Sequence, residues 1–236
     1  MYWLFIGLSF IFSMTMLGVF LAVFIKPKRI DDSTILSFAL GVMLSSGIFS
    51  LLLPAYKMIR DNNQTFWAIV IGFLIGVCLI IFIPIFISKR LNEKNRLFLA
   101  MTIHNIPEGF SVGLSLYIAC ICKDRELLVN AIMLFLAIGI QNIPEGFATA
   151  LPYTIDEGRK KACLLGFISS IVEPLAGLLA LIFVSCGKTI QPYGMSIGAG
   201  AMLVTVLIEL KESFNLKGII SFIVGFSLMT LLDLFL

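Results

Sequence analysis

Apolar residues run along this chain in long blocks, separated by short polar clusters. Stretches with little or no charge cover roughly residues 1–25, 33–56, 64–88, 97–121, 127–151, 162–186, 189–210 and 218–236. Each has about the 20 residues that a helix needs to cross a bilayer core of about 30 Å. Eight transmembrane helices are therefore predicted. No connection exceeds about ten residues, so residues 1–236 are read as a single transmembrane domain. None of the blocks alternates apolar and polar positions as a barrel strand does. Backbone in lipid must bond to itself, which leaves an all-α polytopic helix bundle. The first block, Met1–Ile25, lacks a basic start and is too long for a signal-peptide core, so it is read as a permanent span.

Composition sharpens this picture. With 59% hydrophobic and 13% charged residues and a mean hydropathy of +1.05, a water-soluble fold could not hide the apolar surface. A net charge of +3 with no lysine or arginine run gives no footprint for a nucleic-acid partner. Cys78, Cys120, Cys122, Cys163 and Cys186 lie within or beside apolar stretches without paired spacing, and read as small apolar residues rather than a disulfide framework. The charges report orientation instead. Lysines and arginines number 12 in the first, third, fifth and seventh connections and 5 in the other three. By the positive-inside rule the odd connections face the cytoplasm, which puts both termini outside.

Three spans carry a carboxylate deep inside: Glu108, Glu145 and Glu173. An acidic side chain at mid-membrane costs about 2.5–3.5 kcal/mol even on the lenient insertion scale. Counting from the edge of each span, Arg96 to Glu108 is 12 residues, Glu145 to Asp156 is 11 and Lys161 to Glu173 is 12. At about 1.5 Å per residue these are rises of about 17 Å, close to half of the hydrocarbon thickness. One midplane layer can hold all three if Pro152 does not end the fifth helix, and three carboxylates together call for a cation.

The neighbours narrow the class of cation. Glu108 lies in His104-Asn105-Ile106-Pro107-Glu108-Gly109 and Glu145 in Gln141-Asn142-Ile143-Pro144-Glu145-Gly146. Residues three and four apart share a helix face, so His104, Asn105 and Glu108 converge, as do Gln141, Asn142 and Glu145. Pro107 and Pro144 cannot donate to the preceding turn, which frees the carbonyls of Ile103 and Ile140 as further oxygen ligands and bends both helices. Gly109 and Gly146 are expected to let the two segments pack closely on each other. One imidazole with several carboxylate and amide oxygens suits Zn²⁺, and also Fe²⁺, Mn²⁺ or Cd²⁺, and suits copper(I) poorly. Each feature also has a bland reading: a satisfied core histidine, packing prolines, and Glu173 as an internal hydrogen-bond partner. Shared depth and the duplicated motif favour ligation. Glu209 and Asp233 lie near helix ends and are left outside the core site.

The paired segments HNIPEG and QNIPEG, followed by VEPLAG, resemble the ZIP family of metal-ion transporters, and within it the bacterial GufA-type branch. FALGVMLSSGIFSLLLPA in the second span and SIGAGAMLVTVLIEL in the seventh are also similar to family helices, so the likeness covers nearly the whole chain. It implies eight helices in a 3+2+3 arrangement, both termini outside, a metal site between the fourth and fifth helices, frequently a homodimer, and inward metal flux across a bacterial cytoplasmic membrane. Carried over by position, a first site would use His104, Glu108, Gln141 and Glu145. A second would use Asn105, Glu108, Asn142, Glu145 and Glu173, with the two glutamates bridging. The chain departs from the family in having no histidine-rich third loop, and Asn142 stands where some members have aspartate.

The reading that follows is a carrier of divalent transition metal, zinc first, in a lipid bilayer, with no prosthetic group and no enzymatic activity. A selective channel built on the same site is the near alternative. An intramembrane metal-dependent hydrolase is the distant one, because such sites keep a water on a nitrogen-rich metal and this chain has one histidine and no HExxH.

Overall fold

A computed structural model of the protein describes residues 2–25, 32–87, 93–210 and 215–235. The described residues are helical apart from short turns, with no strand among them. In order these are α1 (Tyr2–Phe24), α2 (Asp32–Ser46), a π-helical turn (Gly47–Leu52), α3 (Leu53–Asp61), α4 (Trp67–Ile87), α5 (Glu93–Cys122), α6 (Arg125–Asp156) and α7 (Arg159–Leu179). A 3-10 segment (Ala180–Cys186), α8 (Gly187–Glu209) and α9 (Leu216–Phe235) complete the chain. Of the eight spans expected, seven are long and apolar enough to cross a membrane. The remaining expected span corresponds to α4, an apolar helix of 21 residues. Lys26, Lys28, Arg29, Lys89, Arg90 and Lys211, which carry much of the expected orientation, lie outside the described residues.

Local chemistry explains where the helices stop and where they do not. α6 starts on Asp124, whose Oδ1 accepts from the backbone N–H groups of Glu126 (2.8 Å) and Leu127 (3.2 Å). It runs through Pro144 and Pro152 to Asp156, so the condition on Pro152 is met. Gly158, at φ +91°, then makes the turn into α7, in a backbone region that glycine enters without penalty. The π turn of the second span ends two residues before Pro54. Proline cannot donate and its ring crowds the carbonyl four residues back, here that of Ser50, and a widened turn relieves this.

Two groups of helices pack chiefly within themselves. One contains α1, α5, α6 and α7. The other contains the α2–α3 span, α4, α8 and α9. They meet mainly where α5 lies on α8 and where α2 lies on α6, across a core that includes Leu8, Met43, Met101, Ile138, Met195 and Met202. In the second group α9 is fastened to α2 by hydroxyls. Ser45 and Thr230 share a hydrogen bond (2.9 Å), and Ser50 donates to Asp233 Oδ1 (2.7 Å). Asp233, expected near a helix end, is therefore a partner of the π-helical turn that follows α2. Large apolar side chains such as Phe5, Leu74, Leu164 and Leu228 face outward, and continuous apolar exposure of this kind marks a membrane-facing surface.

Candidate metal centre

α5, α6 and α7 bring the predicted polar residues into one buried region. His104, Glu108, Gln141, Asn142 and Glu173 are 0% exposed, and Asn105 and Glu145 are 3% exposed. One imidazole nitrogen from His104 and one oxygen each from Glu108 and Glu145 lie within 4.8 Å of one another. Gln141 joins them by donating from Nε2 to Glu108 Oε1 (3.1 Å). Glu173 stands outside this trio and is held by Thr15 and Asn142. Asn105 turns its amide nitrogen to Ser169 of α7, toward the backbone oxygen (3.3 Å) and Oγ (3.4 Å).

The bonding pattern has one sign. Glu108 Oε2, Glu145 Oε1, Gln141 Oε1, Asn105 Oδ1 and Asn142 Oδ1 are buried and accept no hydrogen bond. A buried polar atom left without a partner costs about 1–3 kcal/mol, and native interiors keep such atoms few. All five here are acceptors, and among the described residues no lysine or arginine pairs with these carboxylates. What would satisfy the group is a positive charge.

His104 points the same way. Its Nδ1 lies 3.0 Å from the carbonyl oxygen of Ala100. A carbonyl only accepts, so Nδ1 carries the hydrogen and Nε2 is the free nitrogen, as in metal-binding histidines anchored through their other ring nitrogen. Nε2 faces Glu145 Oε2 at 3.3 Å. A lone pair directed at a carboxylate needs a proton or a metal ion between the two.

The glycines act differently from the sequence-based expectation. A Cβ on Gly109 would lie 2.1 Å from the backbone oxygen of Glu173, and one on Gly146 would lie 2.1 Å from that of Thr15. Each glycine thus seats its helix on a third helix, α5 on α7 and α6 on α1, rather than α5 and α6 on each other. The duplicated motif places Glu173 beside Glu108 through this contact. Sequence reasoning missed Thr15, whose Oγ1 lies 2.7 Å from Glu173 Oε1, and Ser169 and Thr102, whose hydroxyls meet at 3.2 Å beside Asn105. Serine and threonine in apolar helices commonly bond their own backbone, so nothing in the sequence separates these from the others.

Where α5 begins and α6 ends, Lys94 pairs with Asp156 (3.0 Å) and Glu157 (2.6 Å), and Lys161 of α7 also pairs with Glu157. The hydrogen bond from Lys161, then that from Lys94, holds the Glu157 carboxyl below its ordinary range. Tyr153 donates to Asn95 Oδ1 (2.6 Å). The three ligand-bearing helices are therefore tied together at one end.

No family model matches the chain. Over 111 residues, 47% of its length, the chain is 46% identical to a zinc transporter ZIP11 from Xenopus tropicalis, covering 33% of that protein. It is 31% identical over 141 residues to the zinc transporter GufA of Myxococcus xanthus, which covers 58% of this chain and 53% of that one. With zinc transporter ZIP11 of Homo sapiens it shares 38% identity over 123 residues, 52% of this chain and 36% of that protein. The matched segments span from a third to about half of these relatives.

Proposed function

Starting from an integral membrane protein related to the ZIP-family zinc transporters, we propose that this chain carries divalent transition-metal ions, zinc foremost, into the cytoplasm through the buried site between α5 and α6. The observation that carries the reading is the set of five buried, unpartnered acceptor oxygens on the same helices as an anchored histidine, with no basic side chain among the described residues to answer them. His104, Glu108, Gln141 and Glu145 form the first ligand set. Asn105, Asn142 and Glu173 extend it to a second position that shares both glutamates. Nitrogen and oxygen donors without thiolate favour zinc and its neighbours over copper(I).

In this reading the helices follow the 3+2+3 arrangement with both termini outside a bacterial cytoplasmic membrane, and two copies pair. The division into two helix groups supports alternating access, because all seven ligands belong to the group of α1, α5, α6 and α7. That group would shift against the other and expose the midplane site first outside and then to the cytoplasm. A carboxylate oxygen or an imidazole nitrogen binds metal only where that atom carries no proton, so binding releases any proton held at the ligating atoms.

The test is uptake into proteoliposomes containing a zinc-sensitive dye. The parent accumulates zinc, and Glu108→Ala and Glu145→Ala each lose at least about 100-fold, since even outer-shell partners of a metal site contribute about 10–100-fold. Undiminished uptake in both variants would remove the proposal. Competition among zinc, iron, manganese and cadmium in the same vesicles fixes the order of preference.

A further inference from the structure

Glu173 differs from the other two buried carboxylates because both of its oxygens are occupied. Thr15 of α1 lies 2.7 Å from Oε1, and the Nδ2 of Asn142 donates to Oε2 at 2.6 Å. The second bond has a consequence for Asn142. With its nitrogen turned to Glu173 and, at 3.5 Å, to the carbonyl of Ile11, its carbonyl oxygen is the atom left over, buried and without a partner. Glu173 therefore decides which end of the Asn142 amide is available as a metal ligand.

Thr15 in turn decides where Glu173 sits. Its hydroxyl has one hydrogen and two acceptors within reach, the Ile11 carbonyl at 3.0 Å and Glu173 Oε1 at 2.7 Å. The contact with Glu173 is the shorter of the two. The backbone that delivers this hydroxyl is itself fixed, because α6 is pressed against Thr15 at Gly146, the residue after Glu145. Resting on the transport reading above, we infer that Thr15 is a positioning residue for the metal site: through its hydroxyl it orients Glu173, and through Glu173 it keeps the carbonyl oxygen of Asn142 free for the cation. The chain runs across three helices, from α1 to α7 to α6, and gives α1 a part in metal binding without a ligand of its own.

The variant that isolates the hydroxyl is Thr15→Val, which keeps the branched shape, with Thr15→Ser as the variant that retains it. The full-length protein in vesicles is assayed for zinc uptake, and in detergent for equilibrium zinc binding. Thr15→Val is expected to raise the KM for zinc and the zinc dissociation constant about tenfold, within the range of about 10–100-fold for outer-shell partners. The maximal rate per folded transporter stays unchanged, and Thr15→Ser restores the parent values. In a Glu173→Ala background, where His104, Glu108, Gln141 and Glu145 still bind zinc, Thr15→Val adds nothing. A purely packing role would instead lower thermal stability or maximal rate and would persist in that background. Parent-like KM and binding in Thr15→Val overturn the assignment, as does a full-sized effect without Glu173. If the parent itself binds no zinc, the transport reading falls and the assignment with it. If the parent binds zinc and Thr15→Val matches it, only the assignment falls.

Discussion

The smallest decisive fact in this protein is that a carbonyl oxygen cannot donate, so the contact of His104 with Ala100 leaves Nε2 bare beside the Glu145 carboxylate. That arrangement calls for a proton or a metal ion between the two atoms. His104, Glu108, Gln141 and Glu145 were legible in the sequence because residues three and four apart on a helix share a face whatever the surrounding fold does. Thr15 was not, because its helix shows only a hydroxyl among apolar neighbours and its partner lies 158 positions away. Gly109 belongs to the same scale. Its absent side chain is what lets α5 touch the backbone of Glu173, and in Gly109→Ala a methyl would be placed 2.1 Å from that oxygen. Such overpacking costs about 1–3 kcal/mol. Gly109→Ala is therefore expected to melt earlier in detergent and to bind zinc more weakly, as Glu173 is pushed from its place. A melting curve and a zinc titration identical to the parent's would show that α7 can retreat without cost.

At the scale of elements, the apolar blocks predicted the helices to within a few residues of their ends, with α6 continuing through Pro152 as the depth count required. The expectation that Gly109 and Gly146 join α5 to α6 failed, since periodicity shows which face of a helix is small and not which neighbour fills it. The tie between the ends of α5, α6 and α7 was likewise hidden in a cluster of ordinary surface charges. It has a pH signature whose sign can be worked out. Lys161 and Lys94 hold the Glu157 carboxyl below its unfolded value, so the contribution is fully present above the unfolded value and disappears as pH falls through the lowered folded value. Glu157→Gln is expected to melt below the parent at neutral pH, with the two curves converging once the solution is more acidic than the ordinary carboxylate range. A gap that persists unchanged into acid would assign the effect to something other than this ion cluster. High salt should also shrink the gap, because these groups are partly exposed.

The whole molecule divides into a group of helices that holds every proposed ligand and a group that holds none, and transport by alternating access needs relative movement across their seam. Gly194 of α8 lies on that seam, where an added Cβ would come within 3.5 Å of Ser111 Oγ on α5. The two positions therefore adjoin across the seam, near enough for a pair of cysteines to be tested for a bridge. Ser111→Cys combined with Gly194→Cys is expected to lose zinc uptake on oxidation and recover it on reduction, while each single variant ignores the oxidant. Full uptake with the bridge closed would mean that the seam does not move there. The apolar blocks, the even spacing of the three glutamates from the ends of their spans and the duplicated motif were determined by the sequence alone, because hydrophobic length and helical period act within one segment. Which helix Glu173 leans on, which atom of Asn142 is left bare, and how the helices sort into two groups were decided only by the tertiary structure. These depend on contacts between residues far apart in the chain, where a hydroxyl or a missing methyl group acts through distance in space rather than through spacing along the sequence.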